Sequence, residues 1–210
     1  MFGGSGPSGG FCNYGVFGIE GKDAATGKRK YKKLSAVSEA AAQEKAAALG
    51  CVGPYKVEVC PFTEPTDRQL RYGASLGVVF PEGCNSIDAS ALIGRAEEND
   101  PQDPDPGLVA YAEGCGVCFS RLVSEAGLVG CMVSQLEPRE RAIFFAYAVS
   151  RDGSGLGDPR QDPKFPAFCR FADMAGGDPS LAKSVEGREA REYLAPGRNT
   201  KAYKIAASCL

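Results

Sequence analysis

Along residues 12–60 the spacing of apolar positions changes from period two to a helical period and back again. The stretch 12–21, CNYGVFGIEG, alternates aromatic or aliphatic positions with small and polar ones, as expected for a strand that buries one face. DAATG at 23–27 supplies turn residues, and KRKYKKLSA at 28–36 reads as the returning strand. Ser38 opens an alanine-rich helix, EAAAQEKAAALG, with Glu39 at its start and Gly50 at its end. YKVEVC at 55–60 predicts a third strand. The order is ββαβ, a small sheet with one helix on a face.

From residue 63 the pattern becomes helical. Thr66 followed by Gln69 has the spacing of a capping box, in which each side chain satisfies an orphan backbone donor. Leu76-Gly77 marks the end of that helix, and 78–80 is too short for another before Pro81. Asn85 or Ser86 caps a second helix whose Ala89, Leu92, Ile93 and Ala96 share one face. Residues 63–98 thus predict a helix–extended–helix unit. The acidic, proline-rich run at 97–107 reads as a solvated linker, centred on 99–106. Beyond it, residues 107–210 predict a helical domain. Pro138 introduces a helix with an apolar stripe of Ile143, Phe144, Tyr147 and Ala148, the expected core of this half. Helices are also expected over 165–177, over 178–194, and after Asn199 or Thr200. The fold class is α+β: residues 1–11 a flexible lead-in, 12–62 the ββαβ module, then the helical body.

Composition narrows the function classes. The 210 residues carry 24 basic and 26 acidic side chains, a net charge of −2, so any grip on a polyanion must come from a local patch. The sequence has no apolar run near the roughly 18–20 residues needed to cross a bilayer and no signal-peptide pattern at its start, so a soluble, cytoplasmic protein without a membrane partner is expected. Histidine is absent, which removes the commonest general base and the commonest zinc nitrogen ligand. Nine irregularly spaced cysteines then read as reduced, half-buried small hydrophobes.

Candidate chemistry is sparse. Lys28, Arg29, Lys30, Tyr31, Lys32 and Lys33 lie on one predicted strand, whose alternation sets Arg29, Tyr31 and Lys33 on one face and Lys28, Lys30 and Lys32 on the other. Five cations around an aromatic suit a phosphate backbone with a stacked base. The competing reading is an edge strand kept soluble by lysines. Cys115-Gly-Val-Cys118 lacks the second ligand pair of a structural zinc site and reads as two packed cysteines in a turn. Gly21-Lys22 and Gly27-Lys28 do not complete a phosphate loop, and the acids at 97–105 lack the pattern of a calcium loop. Arg188, Arg191, Arg198, Lys201 and Lys204 read as solvent-facing charges that, with Tyr203, offer a second anion-binding face. No metal or cofactor is expected.

The segments 65–70 (PTDRQL), 76–77 (LG), 81–83 (PEG) and 88–93 (DASALI) resemble a helical motif of bacterial and mobile-element proteins that often accompanies HIRAN-type nucleic-acid-binding domains. The later stretches DPDPGLVAYAEG, RERAIFFAYAVSRD and GRNTKAYKIAASCL look similar to the region following that motif, so the resemblance covers roughly residues 63–210. The motif is similar in outline to SAP modules, which touch DNA. Here Arg68, Arg71 and Arg95 are offset by Asp67, Glu82, Asp88, Glu97 and Glu98, and the first 60 residues look like a bacterial ββαβ adaptor rather than a HIRAN barrel. The resemblance implies a lineage without catalytic residues. The expected function is non-catalytic binding in a bacterium or phage, aimed at a nucleic-acid-processing system. DNA or RNA would be held by the basic strand. The alternative is a phage-encoded inhibitor that binds a host defence nuclease, in the manner of an anti-CRISPR protein.

Overall fold

A computed structural model describes residues 10–99, 102–153 and 155–210. The expected lead-in up to residue 9 and positions 100 and 101 of the expected linker lie outside the described residues. The fold is α+β. A three-stranded antiparallel sheet with strand order β2-β1-β3 is built from β1 (Gly15–Asp23), β2 (Arg29–Ala36) and β3 (Cys51–Cys60), with α1 (Glu39–Ala48) between the second and third strands. β3 starts four residues before the predicted Tyr55, because its first residues pair with the end of β1 beyond an irregularity at Glu20/Lys22.

The hairpin between β1 and β2 is closed by Asp23, whose carboxylate accepts from the backbone of Ala25 and Thr26 and from the Thr26 hydroxyl. Ser38 caps α1 by accepting from Ala41 N at 3.2 Å. Ala42 and Ala46, one turn apart, let α1 approach the sheet closely, where they pack with Phe17, Ile19, Ala36 and Cys51. Apolar side chains therefore fill the α1 face of the sheet; on the other face Val16 packs with Cys12, Tyr14, Cys118 and Phe62, and the remainder is mostly polar.

Two helices follow: α2 (Asp67–Ser75) and α3 (Ser86–Glu98). The Thr66–Gln69 capping box forms, and α3 has a second one in which Asn85 is the cap and Asp88 the returning side chain. Phe80 packs so closely on Gly73 of α2 that a Cβ there would collide with its ring. That contact turns the extended connection back onto α2.

The chain divides into two compact units, Met1–Asn99 with Cys118–Val123, and Asp100–Val117 with Ser124–Leu210. The return of residues 118–123 to the first unit has no periodic signal in the sequence. It is held by a Cys12–Ser120 bridge, by Asn13 N donating to the Phe119 carbonyl at 3.1 Å, and by Arg121 N donating to the Phe11 carbonyl at 2.8 Å.

The second unit is helical: α4 (Pro106–Gly114), α5 (Glu125–Gln135), α6 (Pro138–Ser150), α7 (Phe165–Gly177), α8 (Pro179–Glu186), α9 (Arg191–Leu194) and α10 (Lys201–Cys209), with a 3-10 turn at Pro159–Gln161. Its core helix α6 is wider in burial than the predicted stripe. Every residue from Ala142 to Val149 is buried, since α7, α8, α9 and α10 all pack around it. Aromatic rings fill the space: Phe144 stacks on Tyr111 at 6.0 Å and on Tyr193 at 5.6 Å, and Tyr147 meets Phe168 edge-on at 5.6 Å. The helix expected over 178–194 is broken after Glu186, where Gly187 ends α8.

Candidate nucleic-acid interface

β2 is an edge strand, and its alternation sorts the six candidate residues. Lys30 and Lys32 are half-buried, on the side of the sheet covered by α1. Lys30 is engaged within the fold: its ammonium donates to Asp23 at 2.9 Å and to the carbonyls of Leu49 and Gly50 at 2.8 and 3.3 Å. A cation is well placed there, because these carbonyls belong to the C-terminal end of α1. Hydrogen bonds from Lys30 and Thr26 hold the Asp23 carboxyl well below the usual carboxylate range. Lys28 is exposed at the turn.

Arg29, Tyr31 and Lys33 are exposed on the open face. The register places Lys22 opposite Arg29, Glu20 opposite Tyr31, and Gly18 opposite Lys33. On the far side of β1, Lys56 faces Glu20 and Glu58 faces Gly18. Tyr31 leans across β1: its hydroxyl donates to Glu58 Oε1 at 2.9 Å, and a Cβ on Gly18 would strike that hydroxyl and come within 2.8 Å of Glu58 Cγ. Gly18 is what permits the ring to lie along the sheet instead of standing off it. The ring keeps 50% of its surface exposed. The bond to Glu58 and the nearby Cys60 push the phenol up to about 12, so Tyr31 is a neutral aromatic plate at neutral pH.

Four cations (Lys22, Arg29, Lys33 and Lys56) and two carboxylates (Glu20 and Glu58) frame this ring. Arg29 is paired with Glu20. Lys28, Lys32 and Lys33 form no ion pair among the described residues, so the strand keeps an uncompensated positive field along its outer edge. The arrangement combines a flat aromatic with surrounding cations on an uncovered sheet face, which suits stacking of a base with its phosphate held alongside.

The helix pair carries a different surface. Arg68, Gln69, Arg71 and Tyr72 of α2 and Ser90, Ile93 and Glu97 of α3 line a cleft of about 650 Å³, where the Tyr72 hydroxyl donates to Glu97 at 2.7 Å. Asp88 does not belong to the charge balance of this surface, contrary to the sequence reading, because it is fully buried. Its carboxylate accepts from Phe11 N at 3.1 Å, Asn85 N at 3.2 Å and Ser120 Oγ at 2.6 Å, with Cys12 Sγ at 3.6 Å. Burial and this neighbouring carboxylate push the Cys12 thiol up to about 12, which removes it as a nucleophile. Sequence reasoning missed this buried network; the only local signal was the Asn85–Asp88 capping spacing.

The C-x-x-C pair splits between two environments. Cys118 is buried and packs with Cys12 and Tyr14, while Cys115 takes a hydrogen bond from Arg160 at 3.2 Å and lies 4.0 Å from Glu140. Burial raises both thiols, against the pull of Arg160 on Cys115 and of Lys45 on Cys118. No disulfide joins any of the nine cysteines, and the described residues contain no metal-holding cluster of His, Cys, Asp or Glu.

The basic C-terminal residues do not assemble into one anion-binding face. Arg191 pairs with Glu189, Arg198 with Asp152 at 2.7 Å, and Lys201 with Asp178 at 3.1 Å. Arg188, expected in solvent, is buried: it lies over the Phe145 ring at 4.6 Å and pairs with Glu192 at 3.1 Å. Among the described residues no helix is long and apolar enough to cross a membrane.

Compared with known proteins, the chain matches no family model, no curated protein and no solved structure.

Proposed function

We propose that the protein is a non-catalytic binding protein of a bacterium or its phage that takes single-stranded nucleic acid on the open face of its N-terminal sheet. The observation that carries this reading is Tyr31, laid across Gly18 and tied to Glu58, half exposed between Arg29 and Lys33. A base stacks on the ring, and Lys22, Lys33 and Lys56 lie within the same face for the phosphates. Lys28 and Lys32 extend the positive field along the edge. Every base has a π-face, so the site would tolerate many sequences.

The test is an anisotropy titration of short labelled oligothymidine and oligouridine over a range of salt concentrations. Binding should weaken as salt rises, with a slope of about −0.7 per phosphate neutralised, and replacing Lys28, Lys32 and Lys33 by Gln should flatten it. Absence of binding at low salt would overturn the reading.

A second reading is favoured by the helix pair. Leu70, Leu76, Val79 and Ile87 are exposed there, with Val79 at 86%, and apolar surface of this kind suits a protein partner rather than a polyanion. The corresponding function is blockade of a host nuclease by protein–protein binding. It predicts a stable complex with such a nuclease that persists when Lys28, Lys32 and Lys33 are neutralised.

A further inference from the structure

The helical unit holds three buried polar atoms with no hydrogen-bond partner among the described residues: Arg141 Nε, Arg188 Nε and Tyr193 Oη. Two of the three residues touch one side chain, Phe145. Arg188 lies 4.6 Å over the Phe145 ring, and Tyr193 meets the same ring edge-on at 5.7 Å. Arg141 stands one helical turn before Phe145 on α6 and so shares its face. The charges of both arginines act to lower the Tyr193 hydroxyl, against a burial that raises it.

Charge at this point does not balance. Arg188 is paired with Glu192, whose second oxygen is occupied by the backbone N–H of Glu189 at 3.0 Å. Arg141 donates to the Leu136 carbonyl at 2.9 Å and has no carboxylate partner among the described residues. One guanidinium charge is therefore left uncompensated beside three unused donors, two of them on side chains at least nine-tenths buried. A buried donor left without an acceptor loses its hydration for nothing, so an occupant is favoured. Water accepts only two hydrogen bonds and brings two donors of its own. An acceptor-only ion fits three donors and cancels the charge.

We propose that Arg141, Arg188 and Tyr193 form a buried site for a small monovalent anion, chloride or an ion of its size. Tyr193 is fully buried and Arg188 nearly so, which closes this point to a partner's side chain. The site is independent of the sheet face.

Crystals of the full chain soaked in bromide test this directly. An anomalous bromide peak within hydrogen-bond distance of Arg141 Nε, Arg188 Nε and Tyr193 Oη is expected. A water at that point with no anomalous signal would overturn the proposal. In solution, exchanging sodium gluconate for chloride at constant ionic strength should raise the melting temperature by about 2–4 °C, the shift that about 1 kcal/mol of ligand stabilisation gives in a protein of this size. Arg141→Met should lose that increment, whereas an equal response in the variant and the parent would contradict the assignment. If Arg141→Met fails to fold, Tyr193→Phe with the bromide soak keeps the test open: its peak should weaken or vanish, and an undiminished one would remove the hydroxyl from the site.

Discussion

The sheet unit and the helical unit spend their large hydrophobic residues in opposite ways. In the helical unit aromatics turn inward, with Tyr111, Phe144, Phe145, Phe168, Phe171 and Tyr193 all fully buried, and Met174 and Leu210 are its only exposed large hydrophobics among the described residues. The sheet unit fills its core mainly with small residues, Ala36, Ala42, Ala46 and Cys51, around Phe17 and Ile19. It leaves Tyr31, Val52, Val59, Leu70, Tyr72 and Val79 outside. The sheet unit thus has a thinner core and more exposed apolar surface, the kind of surface the proposed binding role would use, while the helical unit buries its aromatics.

The largest test of this contrast lies in the helical core. Phe144→Ala removes a fully buried ring stacked on Tyr111 and Tyr193, and should destabilise the protein by about 3–5 kcal/mol in urea denaturation followed by helical circular dichroism. A loss below about 1 kcal/mol would mean that the aromatic cluster is not what holds that unit.

The sheet unit should be most sensitive at a polar residue instead. Asp88→Ala leaves donors from Phe11, Asn85 and Ser120 unanswered in a buried site and should cost about 3 kcal/mol. It should also lower the Cys12 thiol, whose remaining elevation comes from burial, and a Cys12 titration unchanged by the substitution would break the assignment. Tyr31→Ala should change oligonucleotide binding by about 1–3 kcal/mol, the worth of one stacked base, while leaving the melting temperature nearly unchanged. Equal affinity would transfer the interface elsewhere.

The smallest effect is a titration. The Tyr31 phenol is raised to about 12 by its bond to Glu58, so the neutral form is favoured in the fold. That contribution is full below the unfolded tyrosine pKa of about 10 and is lost as pH rises through about 12. Ultraviolet difference spectra between the parent and Tyr31→Phe should show one late tyrosine, which Glu58→Gln returns toward about 10. A Tyr31 that ionises near 10 in the parent would mean the ring is not tied down.

What the sequence disclosed was local. The ββαβ order, the Thr66–Gln69 box and the alternation of Arg29, Tyr31 and Lys33 all depend on neighbours a few residues apart, where periodicity and capping chemistry act. What it concealed depends on distant partners. Asp88 is buried because residues 10–12 and 118–123 close over it, and Arg188 turns inward because Phe145 and Glu192 receive it. The plate made by Tyr31 needed the strand register, which alone brings Gly18 and Glu58 beneath the ring.

The most direct measurement is a two-dimensional amide NMR titration of the full chain with a short single-stranded oligonucleotide. The account predicts shifts concentrated on Gly18, Lys22, Arg29 to Lys33 and Lys56, with the helical unit unmoved. Shifts confined to the α2–α3 pair or to the helical unit, or none at all at low salt, would contradict it.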